Sequence, residues 1–221
     1  MESYMSSPSP FRNDPFSFFR AFWREKNQIG SILPSSRKLA QAMSASIAKS
    51  TATRRILEVG VGTGAVTSEI IKVLGAKDSL TLLEPYQPFF QRLERVLPTW
   101  LASKKSPNIV LQATRIQEFQ SDQQFDAIVC SLPFSNFTPQ DVQEIFAKFW
   151  NLVTPEGYVI YYEYWGLRRP RSLLKAPGRR RVEQQGMDQY FRKFIYPNVV
   201  TRKLVFANIP PALVLVVKSP R

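Results

Sequence analysis

The chain has no histidine and only one cysteine, Cys130, among its 221 residues. Without imidazole it cannot form a catalytic triad of the Ser-His-Asp type, and a single thiol provides neither an internal disulfide nor a Cys/His zinc site. Few groups remain for acid–base work. We therefore expect no bound metal, and a reaction in which an activated co-reactant and accurate positioning supply most of the catalysis.

Long apolar runs are missing as well. No stretch approaches the roughly 18 apolar residues of a membrane-spanning helix, and residues 1–14 lack the apolar segment of a secretory signal. These two absences predict a cytoplasmic protein, either free or attached to the cytoplasmic face of a membrane.

Acidic residues are outnumbered, with 17 Asp and Glu against 30 Lys and Arg and a formal net charge of +13. This excess predicts an anionic partner, and both nucleic acid and an anionic membrane surface satisfy it. The basic residues are densest at 166–181, a stretch without acids that also holds the apolar pair Leu173 and Leu174. Cations around an apolar pair suit a lipid headgroup surface. These cations are Arg168, Arg169, Arg171, Lys175, Arg179, Arg180 and Arg181.

An aromatic helix is predicted near the N-terminus. Asn13 or Asp14 caps it, and Pro15 takes its first position. A helix packed on the protein core and a helix lying in a membrane interface explain its pattern equally well. Its aromatic face consists of Phe16, Phe19, Phe22 and Trp23.

Residues 56–67, ILEVGVGTGAVT, combine an acid near the end of a short apolar strand with three alternating glycines. Glycine allows a tight turn, and the helix that follows can present its first amides to a ligand. Glu84 follows the next apolar strand, where a carboxylate can hold two ribose hydroxyls. Together with Glu58, this pattern predicts a site for S-adenosylmethionine. The three glycines are Gly60, Gly62 and Gly64.

A dinucleotide is the alternative ligand for the same loop. Gly60, Gly62 and Ala65 satisfy the dinucleotide fingerprint, and Glu84 lies at about the distance expected of the ribose-binding acid. The carboxylate of Glu58 would repel a pyrophosphate, whereas it suits the ammonium group of a methionyl moiety. Glu58 therefore favours S-adenosylmethionine. A turn that binds nothing would require the glycines and both acids to coincide by chance.

The order of the predicted elements indicates an α/β fold. Strands and helices alternate, which predicts a parallel sheet with helices on both faces. Near the C-terminus, apolar strands at 200–207 and 212–217 follow each other without a helix, which predicts an antiparallel pair at one sheet edge. The alternating strands are predicted at 56–59, 80–83, 109–112, 126–130 and 157–164, and the helices at 36–48, 65–74, 87–96 and 139–152.

The motif after the fourth predicted strand indicates the acceptor side. Ser131, Leu132, Pro133 and Phe134 form a Ser-x-Pro-aromatic pattern, in which a small oxygen and a main-chain carbonyl can orient an amine while the ring flanks it. Taken alone, the pattern is explained more simply by a strand-ending turn with a core phenylalanine. After the third strand the usual adenine-binding acid is missing, so we expect Gln117 or the backbone to contact the adenine.

Several segments together resemble the bacterial phospholipid N-methyltransferases. These are 28–37 (QIGSILPSSR), Leu132-Pro133 followed by Asn136-Phe137, Tyr164, and 208–212 (NIPPA). The resemblance extends over nearly the whole chain. It implies a Rossmann-like class I methyltransferase fold with a seven-stranded, mostly parallel sheet, an antiparallel C-terminal edge and additional N-terminal helices. Residues 1–50 would form a tail and membrane-binding helices, and residues 51–221 the methyltransferase domain.

The resemblance also implies the roles of individual residues. Ser31 and Gln117 would close the pocket around S-adenosylmethionine, and the lipid amine would lie between residues 131–134 and Tyr164. Tyr164 or Glu163 would receive the proton of the amine. The protein would act as a monomer on phosphatidylethanolamine or a related lipid such as an ornithine lipid, docking on an anionic membrane through its N-terminal helix and the loop at 168–181.

An rRNA adenine N6-methyltransferase is the main alternative, because it combines the same donor loop with a similar Asn-Leu-Pro-aromatic motif and a basic surface would suit RNA. Position 131 is Ser where that motif has Asn, and no all-helical domain follows the predicted sheet. A membrane-surface adaptor without catalytic activity is a third reading. The intact glycines and both strand-end acids argue against it.

Overall fold

The computed structural model describes residues 34–47, 53–102, 107–134, 137–164, 185–208 and 210–220. Three predictions fall outside these ranges. They are the aromatic helix with Phe16, Phe19, Phe22 and Trp23, the pocket residue Ser31, and the basic loop from Arg168 to Arg181.

The described elements follow the predicted order. Most bounds lie within three residues of the prediction. The fifth strand begins four residues earlier than predicted, at Val153, and the helix predicted at 87–96 ends five residues later, at Leu101. None of the helices in the described ranges is both long and apolar enough to span a bilayer. The elements are α1 (Pro34–Ala45), β1 (Arg55–Val59), α2 (Ala65–Val73), β2 (Ser79–Leu83), α3 (Gln87–Leu101), β3 (Asn108–Gln112), β4 (Phe125–Cys130), α4 (Pro139–Leu152), β5 (Val153–Tyr164), β6 (Val199–Val205) and β7 (Ala212–Lys218).

All seven strands form one sheet in the order β3-β2-β1-β4-β5-β7-β6. Strands β1 to β5 are parallel to one another, and β7 is antiparallel to both β5 and β6. The predicted fold class and the antiparallel C-terminal edge are confirmed. The strand order reverses between β1 and β4, and in such sheets ligands bind beyond the carboxyl ends of the strands at that point.

The core has two layers, one on each face of the sheet. Leu39 and Met43 of α1 and Ile70 of α2 belong to an aliphatic layer on one face. The other face carries an aromatic layer, in which the ring centroid of Phe146 on α4 lies 5.3 to 5.7 Å from those of its main neighbours. Edge and tilted contacts of this kind stabilise beyond the area that they bury. These neighbours are Phe134, Tyr161 and Phe191.

A helical segment at 185–198 completes the aromatic layer and was not predicted from the sequence. It continues into a π-helix at Phe191–Ile195 and a 3-10 turn at Tyr196–Asn198. Met187, Phe191 and Ile195 are buried at a spacing of four residues. This spacing is the sequence signal that was missed.

Helix α4 begins and ends at the predicted residues because its start is encoded locally. The hydroxyl of Thr138 accepts a hydrogen bond from the N–H of Asp141 at 3.2 Å, and the Asp141 carboxylate accepts one from the N–H of Thr138 at 3.0 Å. Pro139 occupies the first turn, where its missing N–H is not needed. This capping box fixes the position of α4 directly after the acceptor-side motif.

The amino-terminal edge of the sheet is closed by a buried ion pair. Arg54, just before β1, places Nη2 2.6 Å from Oδ2 of Asp78, and the two side chains are 11% and 6% exposed. Asp78 also accepts hydrogen bonds from the N–H groups of Arg54 and Gly75, at 2.8 and 2.7 Å. Asp126 accepts one from the N–H of Arg55 at 2.7 Å. Both acids are therefore bonded to backbone at this edge.

Candidate functional site

The carboxyl ends of the parallel strands bring most of the predicted site residues to one edge of the sheet. Glu58 is the second-last residue of strand β1, and Glu84 directly follows β2. Ser131 directly follows β4, and Tyr164 is the last residue of β5. Strands β2, β1, β4 and β5 are consecutive neighbours in the sheet. The donor residues and the acceptor motif are therefore adjacent, as the parallel topology requires.

The glycine loop has the backbone conformation that its sequence predicts. Gly60, Gly62 and Gly64 have φ angles of 74°, 59° and 83°, a region that residues with a Cβ adopt at a cost. The N–H of Gly60 donates to the carbonyl of Leu83 at 3.1 Å. A Cβ at Gly60 would lie 2.7 Å from Cδ2 of Leu132. The absence of a side chain therefore lets the donor loop pack directly on the acceptor motif.

Gly64 has a different role from Gly60. It precedes α2, and a Cβ there would lie 2.5 Å from the Trp100 ring and 2.9 Å from Cδ2 of Leu93, both on α3. No side chain caps the start of α2 at this position. Gly64 thus permits close packing between the start of α2 and α3, and it leaves the first amides of α2 without a side-chain cap.

Glu58 is a buried carboxylate without a hydrogen-bond partner among the described residues. Its side chain is 0% exposed, and neither oxygen makes a hydrogen bond of ordinary geometry. Burial raises the pKa of Glu58 to about 8; the nearby Thr67 hydroxyl and amide oppose this rise, and the charge of Glu84 adds to it. An ionised carboxylate in such surroundings is stable only beside a cation.

Glu84 holds the glycine loop. Its carboxylate accepts hydrogen bonds from the N–H of Gly62 at 2.7 Å and from the N–H of Tyr86 at 2.8 Å. Burial raises the pKa of Glu84, and these two amides offset part of the rise. Each carboxylate oxygen has a second lone pair, so Glu84 can fix the loop and still accept hydrogen bonds from a ligand.

Three other buried polar atoms near this edge have no hydrogen-bond partner among the described residues. They are the hydroxyl oxygens of Thr67 and Ser131 and Oε1 of Gln117. Buried polar atoms in folded proteins are normally satisfied, so their grouping with Glu58 indicates a polar ligand. Thr67 was not among the predicted site residues. Its signal is a polar side chain in the first turn of the helix that follows the glycine loop.

The acceptor motif is partly a core element. The N–H of Ser131 donates to the carbonyl of Val59 at 2.9 Å, which joins the motif to the end of β1. Leu132 and Phe134 are buried, and the ring of Phe134 belongs to the aromatic layer. Pro133 is partly exposed. The Phe134 ring therefore contributes to the core. Its contact with an acceptor amine stays a prediction.

The end of β5 presents different groups on its two faces. Tyr162 and Tyr164 share one face, with ring centroids 5.4 Å apart, and burial together with the nearby Tyr164 raises the pKa of Tyr162 well above its ordinary value. Tyr161 and Glu163 lie on the opposite face, because side chains alternate along a strand. There the hydroxyls of Tyr161 and Tyr196 each donate to the Glu163 carboxylate at 3.0 Å.

Residues 56–157 match a family described as a methyltransferase domain. These residues extend from β1 into β5 and include the glycine loop, both strand-end acids and the acceptor motif. No curated protein sequence matches the chain. The sequence comparison therefore gives a similarity to a methyltransferase domain over these residues.

Solved structures give the fold. The N-methyltransferase NodS from Bradyrhizobium japonicum WM9, in complex with S-adenosyl-L-homocysteine, matches with a TM-score of 0.56 at 16% identity, over 85% of this chain and 86% of NodS. Magnesium protoporphyrin IX methyltransferase (ChlM) from Synechocystis PCC 6803, with bound SAH, gives 0.59 at 10% identity, over 84% of each chain. A SAM-dependent methyltransferase from Leishmania major gives 0.65 at 18% identity, over 92% of this chain and 83% of its own. Residues 56–157 are thus similar to a methyltransferase domain, and the chain has the Rossmann-like fold seen in these methyltransferase structures.

Proposed function

We propose that the protein transfers a methyl group from S-adenosylmethionine to the headgroup amine of a membrane lipid, phosphatidylethanolamine or a related aminolipid, at the cytoplasmic membrane face. The observation that carries the donor side is the buried Glu58 carboxylate, which has no hydrogen-bond partner within the described ranges. The amine and lipid parts rest on the resemblance to phospholipid N-methyltransferases and on the basic charge.

The residues at the carboxyl edge fit S-adenosylmethionine. Glu58 provides the negative charge that the methionyl ammonium requires, and Glu84 has lone pairs available for ribose hydroxyls. Gln117 offers an unsatisfied amide oxygen on the β3 side, where the adenine would lie. The bound cofactor supplies a methyl group already activated on a sulfonium. NodS and ChlM, both methyltransferases of this fold, are crystallised with the demethylated product.

The chain's own task is to orient the acceptor amine and to remove its proton. An amine with a lysine-like pKa of about 10.4 costs roughly 4 to 5 kcal/mol to deprotonate at neutral pH. Ser131, beside the donor loop, has a buried hydroxyl with no hydrogen-bond partner among the described residues, which suits an amine N–H. Tyr164 and Glu163 are the candidates for receiving the proton, and they lie on opposite faces of β5.

The described surface adds support for an anionic membrane. Phe194, Val200 and Phe206 are 51%, 62% and 71% exposed, and cations lie near them along the chain. No acidic residue occurs from 189 to 221. Exposed apolar groups beside cations favour an interface that is both apolar and negatively charged. The cations are Arg192, Lys193, Arg202 and Lys203.

An rRNA adenine N6-methyltransferase is the second candidate, favoured by the net charge of +13. Labelled methyl donor supplied in parallel to anionic liposomes containing phosphatidylethanolamine and to undermethylated ribosomal RNA separates the two. We expect label in the lipid, with transfer reduced at high salt because screening weakens membrane docking. Label in the RNA and none in the lipid would overturn the lipid proposal.

Tyr164→Phe removes a hydroxyl from the end of β5 and keeps the ring. We expect turnover on liposomes to fall at least tenfold while donor affinity, measured by calorimetry, stays within twofold. Tyr158→Phe is the matched control, because Tyr158 lies on the same face of β5, six residues before Tyr164, and pairs with Ala127 near the start of β4. Equal turnover in the two variants would remove Tyr164 from the mechanism.

A further inference from the structure

We propose that Glu163, held by Tyr161 and Tyr196, is the carboxylate that binds the cationic amine of the acceptor and takes its proton. This inference rests on the proposed function, because it names the group that recognises the amine. It assigns the role to the face of β5 opposite Tyr164.

Two hydroxyls from different elements fix this carboxylate. Tyr161 donates to Oε1 from the same strand, and Tyr196 donates to Oε2 from the segment at 185–198, each at 3.0 Å. Both donors are hydroxyl groups, and together they orient both oxygens of the carboxylate. A carboxylate that is oriented in advance binds an ammonium group at a smaller entropic cost.

The strand register places this carboxylate beside the acceptor motif. Cys130, the last residue of β4, pairs with Tyr161. Glu163 lies two residues further along β5, and Leu132 lies two residues further along the chain from Cys130. Side chains of Leu132 and Tyr161 belong to the same core layer. Glu163 therefore lies beside the acceptor motif, and β4 separates its strand from β1, which leads into the glycine loop.

Aromatic rings surround the two tyrosines. The ring centroid of Tyr161 lies 5.6 Å from that of Phe134 and 6.0 Å from that of Phe191. The Tyr196 ring lies 5.9 Å from Phe191. Aromatic faces attract ammonium and methylammonium groups, so a carboxylate in this position suits both the amine and its methylated product.

The unusual winding of the 185–198 segment is a second observation that points to a site. A π-helix at Phe191–Ile195 gives way to a 3-10 turn that begins at Tyr196. Short π-helical turns are rare and occur frequently at functional sites. Here the change of winding keeps Phe191 and Ile195 in the core and brings the Tyr196 hydroxyl to Glu163.

The proposed step is balanced in protons and electrons. The Glu163 carboxylate removes one proton from the ammonium group and becomes a neutral carboxylic acid. The nitrogen lone pair then forms the new N–C bond as the C–S bond breaks, and the sulfur keeps that electron pair as a neutral thioether. Glu163 afterwards releases its proton to water.

Glu163→Gln tests the charge, and Tyr196→Phe tests the orientation. We expect Glu163→Gln to lower kcat/KM for phosphatidylethanolamine liposomes about 30- to 100-fold, and Tyr196→Phe about fivefold, as expected for a charged and a neutral hydrogen bond. Donor affinity should stay within twofold in both. The deficit of Glu163→Gln should shrink from pH 7 to pH 9.5, because the amine increasingly loses its proton in solution.

Glu156→Gln is the matched control. Glu156 is on the same strand, its side chain is 87% exposed, and its partner Lys218 lies 2.7 Å away on the surface. This variant undergoes the same loss of charge and should keep wild-type kinetics. If Glu163→Gln and Glu156→Gln have the same acceptor KM, kcat and pH profile, the inference is wrong.

A binding experiment separates this inference from the proposed reaction. Saturation-transfer NMR with O-phosphoethanolamine should detect binding to the wild type and a large loss of signal with Glu163→Gln. Wild-type binding of the amine that depends on Glu163, without methyl transfer to any liposome, would contradict the proposed function and support this inference. Equal binding to both proteins, or none to the wild type, would overturn the inference.

Discussion

Buried acids at the two edges of the sheet differ in their hydrogen bonding. At the amino edge, Asp78 is bonded to the Arg54 guanidinium and to two backbone amides. At the carboxyl edge, Glu58 is fully buried and has no hydrogen-bond partner in the described part of the chain. The first acid stabilises the fold, whereas the second costs stability. Buried polar groups in folded proteins are normally satisfied, so Glu58 requires a partner that the described residues do not supply.

The opposite environments have opposite effects on the two pKa values. Burial by itself would raise the pKa of Asp78, but hydrogen bonds from the Arg54 side chain and from the amides of Gly75 and Arg54 lower it below its ordinary value. The stability that Asp78 contributes is therefore lost as the pH falls. Burial raises the pKa of Glu58, so the stability associated with its protonated form is lost as the pH rises.

Asp78→Asn breaks the amino edge and should have the largest effect on stability. It removes the negative charge from a buried pair and leaves the guanidinium of Arg54, on a side chain that is 11% exposed, without this counter-ion. We expect the free energy of unfolding at pH 7 to fall by about 3 to 5 kcal/mol in urea denaturation. Donor affinity at 15 °C should not change. Asp122→Asn, at an exposed position, is the control, and equal stability of the two variants would contradict the interpretation.

Glu58→Gln tests the carboxyl edge, and its effect depends on pH. The folded protein has a Glu58 pKa of about 8 against an ordinary value of 4.5, so it holds a proton that the unfolded chain loses between these two values. Wild-type stability therefore declines from pH 4.5 to pH 8, and the Gln variant avoids this decline. Between pH 5 and pH 8 the variant should gain up to about 3 kcal/mol relative to the wild type.

The same substitution should lower donor affinity by about 10- to 100-fold at pH 8, because the methionyl ammonium loses its charged partner. Unfolding at both pH values and calorimetric titration of the donor provide the two measurements. Glu94→Gln, at an exposed position on α3, is the control. A stability difference that does not vary with pH would show that Glu58 is not the titrating group.

Gly60→Ala should have the smallest effect on stability. The φ angle of 74° disfavours a residue with a Cβ by about 1 to 2 kcal/mol, and the added carbon would lie 2.7 Å from Cδ2 of Leu132. Donor affinity and turnover should fall together, because the loop packs on the acceptor motif. Gly186→Ala is the control, since its Cβ would lie at an ordinary 3.5 Å from Pro139. Equal donor affinity in the two variants would show that the loop tolerates a Cβ at position 60, contrary to this prediction.

The glycine loop and the acids at the strand ends could be predicted from the sequence because their signals are local. Three glycines with positive φ angles and an acid at each strand end lie within short segments, so the turn and its chemistry are encoded together. Helix α4 was predicted to the residue because its capping box is also local. Strand β5 begins earlier than predicted because Val153 pairs with Phe125 before the register shifts. That pairing joins residues that are distant in sequence.

The segment at 185–198 was missed for a related reason. Its buried residues, Met187, Phe191 and Ile195, are spaced four apart. The π-helical winding over Phe191–Ile195 depends on the packing of these side chains in the core, which the sequence alone does not reveal. The ring of Phe134 was expected to flank the acceptor amine, and the same aromatic layer encloses it. The sequence did not indicate Thr67 as a site residue either. Only the folded loop shows that its hydroxyl is buried near Glu58 with no hydrogen-bond partner among the described residues.

The sequence by itself determined the parallel α/β sheet, the glycine loop and the acids at its strand ends, because each depends on residues near one another in the chain. The tertiary structure decided which of these acids receives hydrogen bonds and which has no hydrogen-bond partner among the described residues. It also decided which face of β5 each tyrosine occupies, and that Tyr196 reaches Glu163 across 33 residues. The burial of a side chain and its hydrogen-bond partners depend on residues that are distant in sequence, so they are determined only when the strands assemble into the sheet.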